Sequence, residues 1–230
     1  MGDAEGVMLP MEWSDVHSMA QVTYPSSPGL YKVFLADAEA LADTPLSYLQ
    51  TGALLYLGRA KRSLRGRDVR QHLASGKTGR STLRRSLGAV LRSKLGLQAG
   101  PRDDGSICNY CFIPEGEECL TTWMHHHLQV SWSECSSGAE AEEKEPALIA
   151  SLSPALNIDH RPDCEEKALV KQLLSLAYKS YNAQAHSCQV PGGFFRSWQC
   201  HYILRASIRA ACRAEARVWL EHLLREQKPK

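Results

Sequence analysis

The sequence predicts an α+β domain. Two apolar, strand-like runs stand close together near the start, stretches with leucines at helical spacing follow them, and the signals come in the order β-β-α-α-β-α with a helical tail. Residues 1–21 read as a lead-in. Ser26-Ser27-Pro28-Gly29 is turn chemistry that launches the first strand, 30–35 (LYKVFL). Residues 37–52 form an excursion broken by Pro45, and 53–58 (ALLYLG) is a second, largely buried strand closed by glycine, so the pair makes a hairpin with a long insertion.

A helix over 63–74 carries Leu64, Val69 and Leu73 as inward positions. A second over 81–95 carries Leu83, Leu87, Val90, Leu91 and Leu95. Residues 107–113 predict a third strand, 117–128 a helix and 129–132 a short strand. The acidic stretch 133–144 reads as a surface loop entering a helix that holds Glu145, Leu148, Ile149 and Leu152 and ends before Pro154. Helices over 165–182 and 202–226 complete the chain. The expected division is a lead-in at 1–21, a catalytic domain at 22–160 and a helical extension at 161–230.

The 230 residues are 43% hydrophobic and 23% charged, which excludes fibrous and wholly disordered classes. No apolar run reaches the roughly 18–20 residues that span a bilayer. The start carries Asp3 and Glu5 and no basic segment, unlike a secretory signal. The expected setting is a reducing, cytoplasmic compartment (nuclear in a eukaryote), without membrane association. The eight scattered cysteines accordingly read as free thiols.

The net charge of +2 averages over opposed segments. Thirteen basic residues lie between Arg59 and Arg102, opposed only by Asp68, whereas eight glutamates face Lys144 alone between Glu115 and Glu145. A local positive field of that size points to a polyanionic partner such as nucleic acid, against the plainer alternative of a solvated basic helix.

Gly29-Leu30-Tyr31 on the first strand and Tyr56-Leu57-Gly58 on the second resemble the paired motifs of the GIY-YIG nuclease superfamily. Arg67, His72, Glu145 and Pro154-Ala155-Leu156-Asn157 follow in the family's order. The resemblance covers 24–160, and the spacing from Glu145 to Asn157 is similar to that of the excision-repair nuclease UvrC. The stretch 78–87 (TGRSTLRRSL) resembles one in stand-alone bacterial members. Leucine replaces isoleucine in both motifs, the gap between the tyrosines is long, and Arg67 stands five residues before His72 where the family has four. Arg65 and Arg70 are therefore rivals for the arginine role.

The resemblance implies a metal-dependent endonuclease that hydrolyses DNA with one divalent ion, Mg2+ or Mn2+, held by Glu145. A guanidinium at Arg67 would clamp a phosphate oxygen bidentately. Tyr56 is assigned as general base, with Tyr31 positioning the water or its phosphate and His72 assisting; which of the three takes the proton stays open. Since free tyrosine titrates near pH 10, a metal and a guanidinium would have to lower it. Arg59, Lys61, Lys77, Arg80, Arg84 and Arg85 are candidate phosphate contacts, as is Asn157, which also has the role of orienting the chain around the site. Each residue alone has a plain explanation: half-buried strand tyrosines, a surface histidine, a glutamate at a helix start.

Cys108-Asn109-Tyr110-Cys111 is a lone CxxC without a second ligand pair, and on a strand its cysteines face opposite ways, so zinc is not expected. His125-His126-His127 fan out about 100° apiece on a helix and cannot converge on one metal. Arg205, Arg209, Arg213 and Arg217 mark an amphipathic final helix, and Phe194, Phe195 and Trp198 could stack on bases or anchor that helix. The alternative function is a catalytically silent or partner-activated nucleic-acid-binding module. A protein partner or a homodimer stays open, as does the form of the DNA.

Overall fold

The structure, a computed structural model, describes residues 11–66, 72, 74–100 and 109–187. A four-stranded antiparallel sheet is built from β1 (His17–Ser18), β2 (Gly29–Leu35), β3 (Leu54–Ala60) and β6 (Leu128–Glu134) in the order β1-β6-β2-β3. β4 (Ala99–Gly100) and β5 (Cys111–Phe112) form a separate two-stranded ladder. The helices are α1 (Thr82–Leu91), α2 (Pro114–His127), α3 (Gly138–Leu152) and α4 (Glu165–Ser187). The α+β class follows as the sequence predicts.

Strand alternation divides the sheet between two cores. Tyr31, Val33, Leu35, Tyr56 and Val130 face the larger one with Leu83, Leu87, Val90 and Leu91 of α1, the inward positions its periodicity gives. Leu30 and Leu57 point the other way, against Ala141, Leu148 and Ile149 of α3. Both helices begin on a capping serine: Ser81 Oγ accepts the Arg84 N–H at 3.1 Å, and Ser137 Oγ accepts that of Glu140 at 3.1 Å.

Three sequence-based expectations are corrected. Of 107–113, the described part pairs with Ala99–Gly100 and not with the main sheet. The strand foreseen at 129–132 extends over Leu128–Glu134 and lies in the middle of the sheet, with Tyr31 opposite Trp132 and Gly29 opposite Glu134. The stretch 133–144 is not all loop, because Ser137 caps a helix that starts at Gly138. Glu140 also reaches back to Ser136 N at 2.7 Å, as negative charge favours in a first turn.

The described helical part of the expected extension is packed into the domain: α4 inserts Val170 and Ala177, both fully buried, into the larger core. Met19 of the lead-in joins the same core. Arg67, Val69, Arg70, Leu73, Cys108 and everything beyond residue 187 lie outside the described residues, including the final arginine helix and Phe194, Phe195 and Trp198.

Candidate active site

The two tyrosines meet because of strand register. Tyr31 stands opposite Gly58 and Val33 opposite Tyr56, so the tyrosines are diagonal neighbours on one face. Gly58 supplies the room: a Cβ there would collide with Tyr31 Oη and come within 2.6 Å of Tyr31 Cζ and 2.8 Å of Tyr56 Cε1. Gly29 has a similar reason, since its Cβ would strike the Ser133 carbonyl of neighbouring β6. The glycines of both motifs are thus places where a ring or a strand comes too close for any side chain.

His72 completes a triangle. Its ring lies 5.7 Å from that of Tyr31 and 6.0 Å from that of Tyr56, while the tyrosine rings are 6.2 Å apart. Tyr31 is 2% and Tyr56 8% exposed, and half-buried His72 stands against both rings. Burial, then the Glu145 carboxylate, raises the Tyr56 phenol above its ordinary value, while Arg85 and Arg59 pull it down. Burial and the charges of Arg84 and Arg85 push His72 down to about 4, so its imidazole is neutral around pH 7.

Glu145 reaches this place from the opposite face. β3 is an edge strand, with Tyr56 turned to the larger core and Arg59 turned to the α3 side. Arg59 Nη1 donates to Glu145 Oε2 and its Nη2 to Glu142 Oε1 at 3.0 Å; Lys61 Nζ also reaches Glu142 at 2.8 Å. Burial raises the Glu145 carboxyl, and Arg59 and His160 oppose the shift.

The rest of the β3 edge is sealed by the chain that follows α3. Ala155 N donates to Leu54 O at 3.1 Å and Leu156 N to Leu55 O at 2.8 Å. Asn157 then clamps Leu57 with its side chain, Oδ1 accepting from Leu57 N and Nδ2 donating to Leu57 O, both at 2.9 Å. Asn157 is 5% exposed, which corrects its expected contact with nucleic acid and leaves it the orienting role. Arg161 fastens this chain in turn, donating to Ala155 O at 2.8 Å and Ser153 Oγ at 3.0 Å.

Arg84 is the other correction. Its side chain is fully buried and cannot touch a phosphate backbone: Nη2 pairs with Glu117 Oε2 at 2.7 Å, and Nε donates to Thr78 Oγ1 at 3.2 Å. The signal was in the periodicity, since Arg84 stands three before Leu87 and seven before Leu91 on the apolar stripe. Arg85, foreseen as a phosphate contact, lies close enough to act on both Tyr56 and His72. Lys77 and Arg80 are exposed. The rival Arg65 is engaged elsewhere, its Nε donating to Tyr24 O at 3.1 Å. Residues that sequence reasoning passed over are Arg161, Glu117 and Ser81, of which only the helix-capping serine carries a local signal.

A family model described as the GIY-YIG catalytic domain matches residues 29–179, well over half of the chain. The chain therefore belongs to the GIY-YIG family, whose catalytic domain is a nuclease domain acting on nucleic acid. The match runs past residue 160 into α4, and it does not single out the excision-repair branch. No curated protein matches the chain, and no solved structure does. Among the described residues no helix is long and apolar enough to cross a membrane.

Proposed function

We propose that this chain is an endonuclease that hydrolyses DNA phosphodiester bonds in one step with a single divalent ion, magnesium or manganese. The observation that carries the proposal is the convergence of Tyr31, Tyr56 and His72 on one side of an edge strand whose other side brings Arg59 to Glu145. The position of Glu145 in the family's order makes it the protein ligand of that ion; among the described residues no group of three His, Cys, Asp or Glu could hold a metal. A lone hard carboxylate fits magnesium, which keeps several waters and takes substrate phosphate oxygens as ligands. When bound, the ion supplies charge stabilisation for the attacked phosphate and the leaving oxygen.

Tyr56 is the general base in this mechanism: its phenol first loses its proton to solvent, against the burial that raises it, and the phenolate then takes the proton of the attacking water. Arg59 and Arg85 ease that step by their charge. Tyr31 orients the water or the phosphate, and His72 supports the reacting groups. Arg67 clamps a phosphate oxygen, while Lys61, Lys77 and Arg80 hold the backbone of the DNA without reading its sequence. Among the described cysteines, Cys135 and Cys164 are free thiols, in keeping with the reducing cytoplasmic or nuclear setting we propose.

One observation favours a second reading. The Arg59 guanidinium already neutralises Glu145, as a silent or partner-activated DNA-binding module would have it. The test is labelled single-stranded, duplex and branched DNA, with magnesium, manganese or EDTA, beside Glu145→Ala. Metal-dependent cutting lost in the variant establishes the nuclease. DNA binding without cutting supports the silent module, and cutting that starts on adding a protein partner supports activation.

A further inference from the structure

Beside the aromatic triangle, Ser81 touches His72. Ser81 is fully buried at the start of α1, where its Oγ accepts the Arg84 N–H at 3.1 Å. The same Oγ is hydrogen-bonded to His72 Nδ1. A serine hydroxyl has one proton to give and two lone pairs. The Arg84 N–H takes one lone pair, and among the described residues His72 Nδ1 is the partner through which the hydroxyl proton can be satisfied. A buried hydroxyl proton without an acceptor is costly, so the arrangement is satisfied when Nδ1 accepts. A neutral imidazole that accepts at Nδ1 carries its proton on Nε2.

The rest of the site agrees with this state. The imidazole is neutral near pH 7, and its Nε2 makes no hydrogen bond among the described residues. The ring stands against both tyrosines. Arg84 Nη1 also donates to the His72 carbonyl at 3.3 Å, so the first turn of α1 holds the backbone and the ring of the same residue.

We propose that Ser81 is a positioning residue that fixes His72 as the Nε2–H tautomer, so that His72 gives a hydrogen bond to the reacting phosphate or a tyrosine oxygen and does not accept the proton of the attacking water. The role of His72 rests on the nuclease proposal; the tautomer is a property of the free chain and is measured without any DNA.

The experiment is a two-bond 1H–15N correlation spectrum of the full chain labelled with 15N-histidine at pH 7, with His72 assigned from the signals lost in His72→Gln. The expected spectrum has Nδ1 unprotonated and Nε2 protonated. Ser81→Thr keeps that pattern. Ser81→Asp keeps the helix cap, because a carboxylate accepts the Arg84 N–H as well as a hydroxyl does, but it has no proton to give and reverses the tautomer. A wild-type His72 protonated at Nδ1 overturns the proposal, and so does a Ser81→Asp spectrum that keeps the wild-type pattern. In cleavage assays Ser81→Asp is expected to lower kcat by at least about tenfold with little change in KM, as loss of one aligned donor does. A wild-type chain that cuts no DNA refutes the nuclease proposal alone, since the spectrum still decides the tautomer.

Discussion

Gly58→Ala adds one methyl group at the point where both tyrosine rings crowd the sheet. Its carbon would stand 2.6 Å from Tyr31 Cζ and 2.8 Å from Tyr56 Cε1, well inside van der Waals contact. Tyr31 cannot swing clear, being 2% exposed and packed against the ring of His72. Overpacking of this kind costs about 1–3 kcal/mol. Alanine offsets about 0.5–1 kcal/mol of that, because glycine loses more backbone freedom in a strand. A net loss of up to about 2.5 kcal/mol in a domain of this size lowers Tm by up to about 10 °C. Activity should suffer more, since displacing a reacting group by about 1 Å costs on the order of 10²-fold. Thermal melts and single-turnover cleavage measure the two effects separately. Gly100→Ala is the control, because its Cβ would meet Ile113 at 3.5 Å and nothing closer. A Gly58→Ala protein that melts and cuts like the wild type would show that the glycine does not set the tyrosine geometry.

Three further outcomes are expected. Glu117→Gln leaves the buried Arg84 charge uncompensated and should cost about 3–5 kcal/mol in urea unfolding, whereas Lys77→Ala and Arg80→Ala should leave stability unchanged and each flatten the salt dependence of DNA binding by about one unit of slope. Asn157→Ala removes two hydrogen bonds to Leu57 and should destabilise by about 1–3 kcal/mol; an unchanged melt would mean that the clamp is idle. The folded His72 titrates at about 4, below the unfolded value near 6.5, so the unfolded chain binds the extra proton between those limits and stability falls as pH drops through that window. The loss approaches about 3 kcal/mol, with Arg84 and Arg85 as the facing charges, and His72→Gln should remove that part of the pH dependence.

Much of the site was legible because its parts are local. The Tyr56-Leu57-Gly58 strand announces its two faces by alternation, and the leucines of α1 announce theirs by helical spacing. What stayed hidden depends on residues distant in sequence. The stretch 129–132 predicts only a short strand, yet it lies between β1 and β2, and Ser131, 3% exposed, donates its Oγ proton to Ser14 O at 2.8 Å, 117 positions away. Helical spacing puts Arg84, unlike Arg85, on the apolar stripe of α1, but the partner that lets a charge lie there, Glu117, is far along the chain. The resemblance gives Asn157 an orienting role, but which backbone it holds, that of Leu57, shows only once the chain is folded.

The central place of β6 has a consequence for how the chain is made. β2 finds one partner in the adjacent β3, but its other edge waits for a strand whose register sets Trp132 against Tyr31, about a hundred residues later. At about 5–20 residues per second, a ribosome leaves that edge of the catalytic hairpin open for about 5–20 s. During that interval β2 offers unpaired backbone and an apolar face to any neighbouring nascent chain. The hairpin is therefore open to edge pairing until β6 arrives, and the sheet, built largely from non-local pairing, closes late and slowly.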